Sequence, residues 1–233
     1  MEIKFLGTGG VFDYEYGNSA ALVRHKNKSI LIDCGPSVYP TLRKHGLADT
    51  IDHILITHLH GDHVGSLFAL ILHMNIKRVP PTKAKVIYAL PAFRQILYDY
   101  LSFSLQDPEK FIDFIPLSSI EDIGFLDTKD LHFAGMQSFA YYFKEQDRLI
   151  YYSGDLGNVN TSFDFLGQRS EADITVFHEM HHLKGKAHVY YRDLMQAMGD
   201  YQVYAYHLDP RKLPEDNTVP LVAEKPDLLI SPR

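Results

Sequence analysis

The stretch Thr57-His58-Leu59-His60-Gly61-Asp62-His63-Val64-Gly65 sets three imidazoles and a carboxylate within positions 58 to 63. The apolar run before it, Asp52–Thr57, reads as a buried strand, and Val64–Met74 reads as a helix with one apolar face. His58 and His60 are two apart, so on an extended backbone they point the same way. Asp62 and His63 then fall in the turn and at the first helical residue, and all four groups can converge on one small volume. Ring nitrogens with a carboxylate oxygen suit zinc, and also iron or manganese. A lone buried histidine is more often a hydrogen-bonded core residue than a ligand. Four such groups together are different, because burying them without a cation leaves several polar atoms to satisfy.

Around this segment, short apolar runs alternate with helix-like stretches, the pattern of an α/β architecture. Met1–Leu6 reads as a strand leading into the turn Gly7-Thr8-Gly9-Gly10. Ala20–Arg24 and Ser29–Asp33 read as a hairpin, and Val38–His45 as a short helix. Lys85–Leu90 and Asp113–Leu117 are expected strands on either side of a helix over Ala92–Leu105. Leu131–Met136, Phe139–Lys144 and Leu149–Tyr152 follow as three expected strands. Ile174–Phe177 predicts a strand, Val189–Met198 a helix and Gln202–Tyr206 a strand. The tail carries Pro210, Pro214, Pro220, Pro226 and Pro232, so it is expected to wrap the surface, with one late strand near Asp227–Ile230.

Composition narrows the function classes. The 233 residues suffice for one substantial domain or two small ones, and 45 % are hydrophobic. No apolar run is long enough to span a bilayer. The first residues lack a basic segment followed by an apolar one, so they do not read as a secretory signal. Cys34 is the single cysteine, so no intrachain disulfide can form, and a cytoplasmic setting is expected. The net charge of -6 argues against a protein built to grip nucleic-acid phosphates. Lys184 and Lys186 are the best candidates for a local basic patch, and their plainer reading is a solvated loop.

A second cluster, Phe177-His178-Glu179-Met180-His181-His182, contains His-Glu-x-x-His. That pattern marks a zinc protease only on a helix, where residues four apart share a face. Here a β-branched, aromatic run leads into it and Lys184-Gly185-Lys186 interrupts any helix after it, so the protease reading is set aside. His181 and His182 read as exposed loop.

The first cluster resembles the His-x-His-x-Asp-His signature of the metallo-β-lactamase superfamily, and the resemblance covers nearly the whole chain. It implies a four-layer αββα sandwich, with residues 1–233 as one hydrolase domain. Asp33 matches the aspartate that ends an early strand and buttresses the site. His132, Asp155 in Ser153-Gly154-Asp155-Leu156-Gly157, and His207 match the remaining ligand positions in order. By that resemblance one cation takes His58, His60 and His132, the other takes Asp62, His63 and His207, and Asp155 bridges them. Two zinc ions are expected, with manganese or iron fitting the same donors. Cys34 is expected to be a packing residue.

His-Glu after a strand, followed by Ala187-His188, resembles the tRNA 3′-processing endonuclease branch. That likeness implies that His188 sits beside the metals and acts on phosphate, with Glu179 orienting it. The chain departs from the branch at Val189-Tyr190, where small hydroxyl residues are usual. Two cations about 3.5–4 Å apart can clamp the attacking and leaving oxygens of a displacement at phosphorus. A water between them ionises near about pH 7. Asp62 is expected to steer the nucleophile as well as bind metal, and His188 to assist the leaving group.

The tRNA enzymes carry a long basic arm between the third motif and the bridging aspartate. Here a hairpin fills that interval, which leaves a small phosphodiester as the expected substrate. The chain is similar to compact cyclic-nucleotide phosphodiesterases, including the anti-Pycsar type with which phages destroy cyclic pyrimidine signals. Tyr190, Tyr191, Phe139 and Tyr141 are candidates for stacking a base. Phe93, Ile96, Leu97, Tyr100 and Leu101 lie at helical spacing and read as core. Any exposed part of that helix is a candidate homodimer face, since relatives of this type are dimeric. The alternatives are an RNA endonuclease without its arm, a lactonase-type hydrolase of the same fold, and a non-hydrolytic nucleotide sensor.

Overall fold

The computed structural model describes residues 1–230; Pro232, counted above with the tail, lies outside them. The first sheet runs β1 (Glu2–Gly7), β2 (Ala20–His25), β3 (Lys28–Ile32), β4 (His53–Leu55), β5 (Ala84–Tyr88) and β6 (Ile112–Pro116), side by side in chain order. β1, β2 and β3 pair antiparallel, and β3 to β6 are parallel. The second sheet holds β7 (Ile123–Asp127), β8 (Phe139–Glu145), β9 (Arg148–Tyr152), β10 (Asp173–Glu179) and β11 (Gln202–Tyr206), with β11 at one edge and β7 at the other. Its β9, β10 and β11 are parallel.

Strand periodicity divides the core in two. Along β9, Ile150 and Tyr152 face the first sheet, while Leu149 and Tyr151 face away from it. The inter-sheet layer is rich in aromatics: the Phe5 ring lies 5.2 Å from Phe177 and 5.4 Å from Tyr206. Helices α1 (Val38–Lys44), α2 (Gly61–Val64), α3 (Leu67–Ile76) and α4 (Pro91–Leu105) belong to the first half, and Leu42, Leu70 and Leu97 join its core. Helices α5 (Val159–Leu166) and α6 (Tyr191–Ala197) cover the outer face of the second sheet through Leu166 and Leu194. Helix, sheet, sheet, helix is the order that results. No helix among the described residues is long and apolar enough to cross a membrane.

Several expectations need correction. The segment 131–136 is no strand. It is a loop folded on itself, in which Asp130 N–H donates to the Met136 carbonyl and Met136 N–H to that of Phe133. Asp130 and Gly135 both have positive φ, at 65° and 81°, which an extended strand excludes. The strand in that region is β7, whose Gly124 conceals it. A Cβ on Gly124 would lie 2.1 Å from the Tyr142 ring, so glycine there admits the neighbouring side chain. The helix expected over Val64–Met74 is interrupted at Gly65-Ser66, where the Ser66 hydroxyl donates to the Gly35 carbonyl at 2.6 Å. In place of the strand expected near Asp227–Ile230, the chain forms a 3-10 turn at Pro226–Leu228 and an isolated bridge from Leu229 to Phe5.

Candidate metal centre and active site

The carboxyl ends of parallel strands from both sheets open onto one edge of the sandwich, the usual place for a ligand in such sheets. β3 delivers Asp33 there, β4 the histidine segment, β9 Asp155, β10 Glu179 and β11 His207. The sheets are tied at this edge by Phe139 N–H donating to the Thr57 carbonyl at 3.0 Å and by the Tyr141 hydroxyl donating to the Ile56 carbonyl at 2.8 Å. Gly35 permits the closest approach: a Cβ there would lie 1.8 Å from the Asp62 carbonyl oxygen.

The surroundings fix each imidazole. Asp33, fully buried, accepts from Thr57 N–H and the Thr57 hydroxyl, both at 2.8 Å, and from His63 Nδ1 at 2.8 Å. Burial pushes the Asp33 carboxyl above its usual value, and His63 and Thr57 pull it back. The Thr57 hydroxyl, its proton already given to Asp33, accepts from His58 Nδ1 at 3.0 Å. His132 Nδ1 donates to the Ala187 carbonyl at 2.6 Å. The Ser19 hydroxyl donates to the Gly9 carbonyl and accepts from His207 Nδ1 at 3.2 Å. In all four rings the Nδ1 proton is therefore taken, and Nε2 is the atom turned toward the centre, a lone pair wherever the ring is neutral.

Those four Nε2 atoms surround one oxygen. Asp155 Oδ2 lies 3.2 Å from His207, 3.4 Å from His63, 3.7 Å from His132 and 3.8 Å from His58. His60 Nδ1 completes one side, 3.1 Å from His58 Nε2 and 3.0 Å from His132 Nε2. Asp62 completes the other, with Oδ2 3.6 Å from His63 Nε2 and 3.9 Å from His207 Nε2. Lone pairs turned on a carboxylate repel unless positive charge lies between them. Burial keeps His58, His132 and His207 neutral, the last with its pKa lowered to about 3. For His63 burial also opposes charge, but the carboxylates of Asp155 and Asp33 on either side raise it well above the ordinary value. A proton on His63 satisfies one contact and leaves the other three. Asp155 Oδ1 is also buried, without a hydrogen-bond partner among the described residues. The donors fall into His58, His60, His132 and Asp155 on one side and Asp62, His63 and His207 on the other. This is an N/O set that fits divalent cations.

His188 stands beside this cluster, Nδ1 3.1 Å from Glu179 Oε2 and 4.0 Å from Asp155 Oδ2. Glu179 is fully buried at the end of β10, where its other oxygen accepts from Val189 N–H at 2.7 Å. Burial alone disfavours a charged His188, but the Glu179 carboxylate outweighs it and lifts His188 to about 9. The helix expected from Val189 begins only at Tyr191. His188 lies in the loop before α6, beside the bridge between His181 and Tyr190. His178, the first histidine of the protease-like pattern, is on a strand and points into the core. Its Nδ1 donates to the Glu179 carbonyl at 2.7 Å and its Nε2 accepts from Ser162 at 3.0 Å, and burial lowers its pKa to about 4. His181 and His182 are half-buried against each other, not exposed, and the His181 ring lies 5.8 Å from that of His188.

The cluster floors a cavity of about 350 Å³. Besides the cluster residues and His188, its walls are Val11, Gly61 and Phe133, and none of these lining residues is Lys or Arg. Of the aromatics proposed for stacking, Phe139, Tyr141 and Tyr191 are core residues and Tyr190 is half-buried outside the lining. Phe133 escaped the sequence reading, although its position beside His132 was the available clue.

The model of the family described as Anti-Pycsar protein Apyc1 matches residues 1–220. The chain belongs to that family. An Apyc1 family member from Paenibacillus xerothermodurans is 29 % identical over 167 residues, which span 66 % of this chain and 66 % of the relative. Among solved structures, the metallo-β-lactamase fold protein YhfI from Bacillus subtilis superposes with a TM-score of 0.67 at 16 % identity, covering 88 % of this chain and 85 % of that one. Human tRNase Z, short form, superposes with a TM-score of 0.64 at 22 % identity, covering 91 % and 95 %. Both likenesses establish the fold, so this Apyc1 family member is built on the metallo-β-lactamase sandwich.

Proposed function

We propose that the chain is a binuclear metal-dependent phosphodiesterase that hydrolyses a small phosphodiester, most simply a cyclic mononucleotide. The observation that carries the reading is the convergence of four Nε2 atoms on Asp155, set in a cavity with room for one nucleotide and neither lysine nor arginine in its lining. One cation belongs with His58, His60 and His132, the other with Asp62, His63 and His207, and Asp155 is shared. Zinc is the first choice, with manganese or iron as substitutes. When bound, the pair supplies a nucleophilic water at neutral pH and charge neutralisation at phosphorus.

The chain's own groups do the rest. Asp62 accepts a hydrogen bond from the attacking water and aims it. The water oxygen bonds to phosphorus, one of its protons passing by way of Asp62 to solvent, as the phosphorus–alkoxide bond breaks. His188 gives its proton to the departing oxygen, and Glu179 holds the ring in place and favours its charged form. The product is a phosphomonoester. The names of the matched family and of tRNase Z support phosphodiester chemistry, and the cavity favours the smaller substrate.

Purified protein, offered a panel of cyclic mononucleotides, precursor tRNA and a lactone, should turn over the first group. Chelation should abolish that turnover and lower the melting temperature, and zinc or manganese should restore both. Cleavage of tRNA or lactone alone defeats the reading. We also propose that residues 1–233 act as one domain and pair as a homodimer. Helix α4 exposes Ile96, Tyr100 and Phe103 along one face, Phe103 to 92 %. Phe103→Asp should shift sedimentation from dimer to monomer at micromolar protein; an unchanged dimer places the interface elsewhere.

A further inference from the structure

We infer that Phe133 and Val11 form an apolar clamp that grips the base of the nucleotide, an inference that rests on the phosphodiesterase reading above. Both line the metal cavity, and they come from segments more than a hundred residues apart. Both are large apolar side chains left uncovered by their own chain, Phe133 51 % exposed and Val11 46 %. Exposing such surface is unfavourable, and a flexible loop would relieve it by folding the side chain inward. Neither loop is free to do so.

Phe133 is carried on the self-bonded turn described above, whose base is closed by Gly135 N–H donating to the Asp130 carboxylate. Its ring stands edge-to-face against His132 at 4.8 Å and His60 at 5.3 Å. Val11 sits on a turn in which Gly10 N–H donates to Asp13 Oδ2 and Asp13 N–H to the Gly10 carbonyl. Lys212 pins that turn through Asp13 Oδ1 at 2.7 Å. The turn also abuts the metal cluster, since a Cβ on Gly10 would lie 3.4 Å from His207 Nε2. Two apolar walls are thus held in place before any ligand arrives, and the cavity's polar donors are gathered on its floor. A molecule with an anionic end and a flat apolar end matches this division: phosphate at the cluster, base between Phe133 and Val11. Aromatic stacking needs only a π-face, which every nucleobase supplies.

The test compares two ligands that share a phosphate and differ in the base. Zinc-loaded protein is titrated by calorimetry with adenosine 5′-monophosphate and with ribose 5-phosphate. Wild type should bind the first about tenfold more tightly or better, and Phe133→Ala should erase most of that gap while Phe133→Tyr keeps it. Val11→Ala should narrow the gap less. With a cyclic nucleotide as substrate, Phe133→Ala should raise KM and leave kcat near the wild-type value. Equal binding of the two ligands by wild type, or a gap unchanged in Phe133→Ala, overturns the clamp. So does a change in sedimentation in Phe133→Ala with ligand affinity unaltered, which assigns the ring to a subunit contact. A base preference that disappears in Phe133→Ala, in a protein that cleaves no phosphodiester, keeps the clamp and removes the phosphodiesterase reading.

Discussion

Asp155→Asn should lower turnover by at least about 10³-fold and strip the protein of bound cation, while making the metal-free protein harder to melt. The opposite signs come from one geometry. Asp155 Oδ2 faces four ring nitrogens within 3.8 Å, and three of them belong to rings that burial keeps neutral, whose Nδ1 partners prevent them from turning a proton inward. A carboxylate there is tolerable when positive charge lies between it and the rings. An asparagine amide removes the charge and offers two N–H donors to the same lone pairs, so the buried cluster is better satisfied without metal. Metal content by mass spectrometry, initial rates, and melting curves with and without chelator read the three effects together. A variant that keeps both cations and wild-type rates would show that Asp155 is a bystander, and the proposed centre with it.

The second large effect belongs to His188. His188→Ala should cut kcat on a cyclic nucleotide by about 10²- to 10⁴-fold and leave metal content unchanged. The side chain is outside the two donor groups assigned to the cations, and its anchor, Glu179, is held by the Val189 backbone independently of it. If His188 serves as the acid, the penalty depends on how badly the departing oxygen needs a proton. On bis-p-nitrophenyl phosphate, whose phenolate leaves unaided, the same variant should lose little. Equal losses on both substrates assign His188 to charge stabilisation at phosphorus instead. Loss of metal in the variant would make it a ligand, an option the closeness of Asp155, His188 and His207 keeps open to measurement.

The metal cluster was legible because its donors are local in the chain or end recognisable strands. His58, His60, Asp62 and His63 announce themselves by spacing, and Asp33, Asp155 and His207 each follow an apolar run. His132 joins the cluster, but not from the strand expected over Leu131–Met136. It sits in a loop, not at a strand end, and what aims it is the carbonyl of Ala187, fifty-five residues away. The same limit hid the walls. Whether Phe133 and Val11 meet across a cavity depends on how two remote turns are pinned, and no periodicity encodes that. The stacking candidates failed because aromatic residues on strands serve the inter-sheet core as readily as a pocket. Phe139 and Tyr141, both fully buried, are there to join the sheets. β7 was lost to a glycine whose meaning lies in Tyr142, on the neighbouring strand.

The order in which the donors occur along the polypeptide bears on how the protein is made. Half of the first donor group is synthesised by residue 60, but Asp155 and His207 arrive only with β9 and β11, after most of the chain has been built. Parallel partners such as β10 and β11 must await their long crossovers before they can pair. A cation captured early would be held by two or three groups and exchange freely. In the proposed centre firm retention would begin once the last strand has docked, and the ion would act as a clasp fastened at the end of assembly and not as a seed for it.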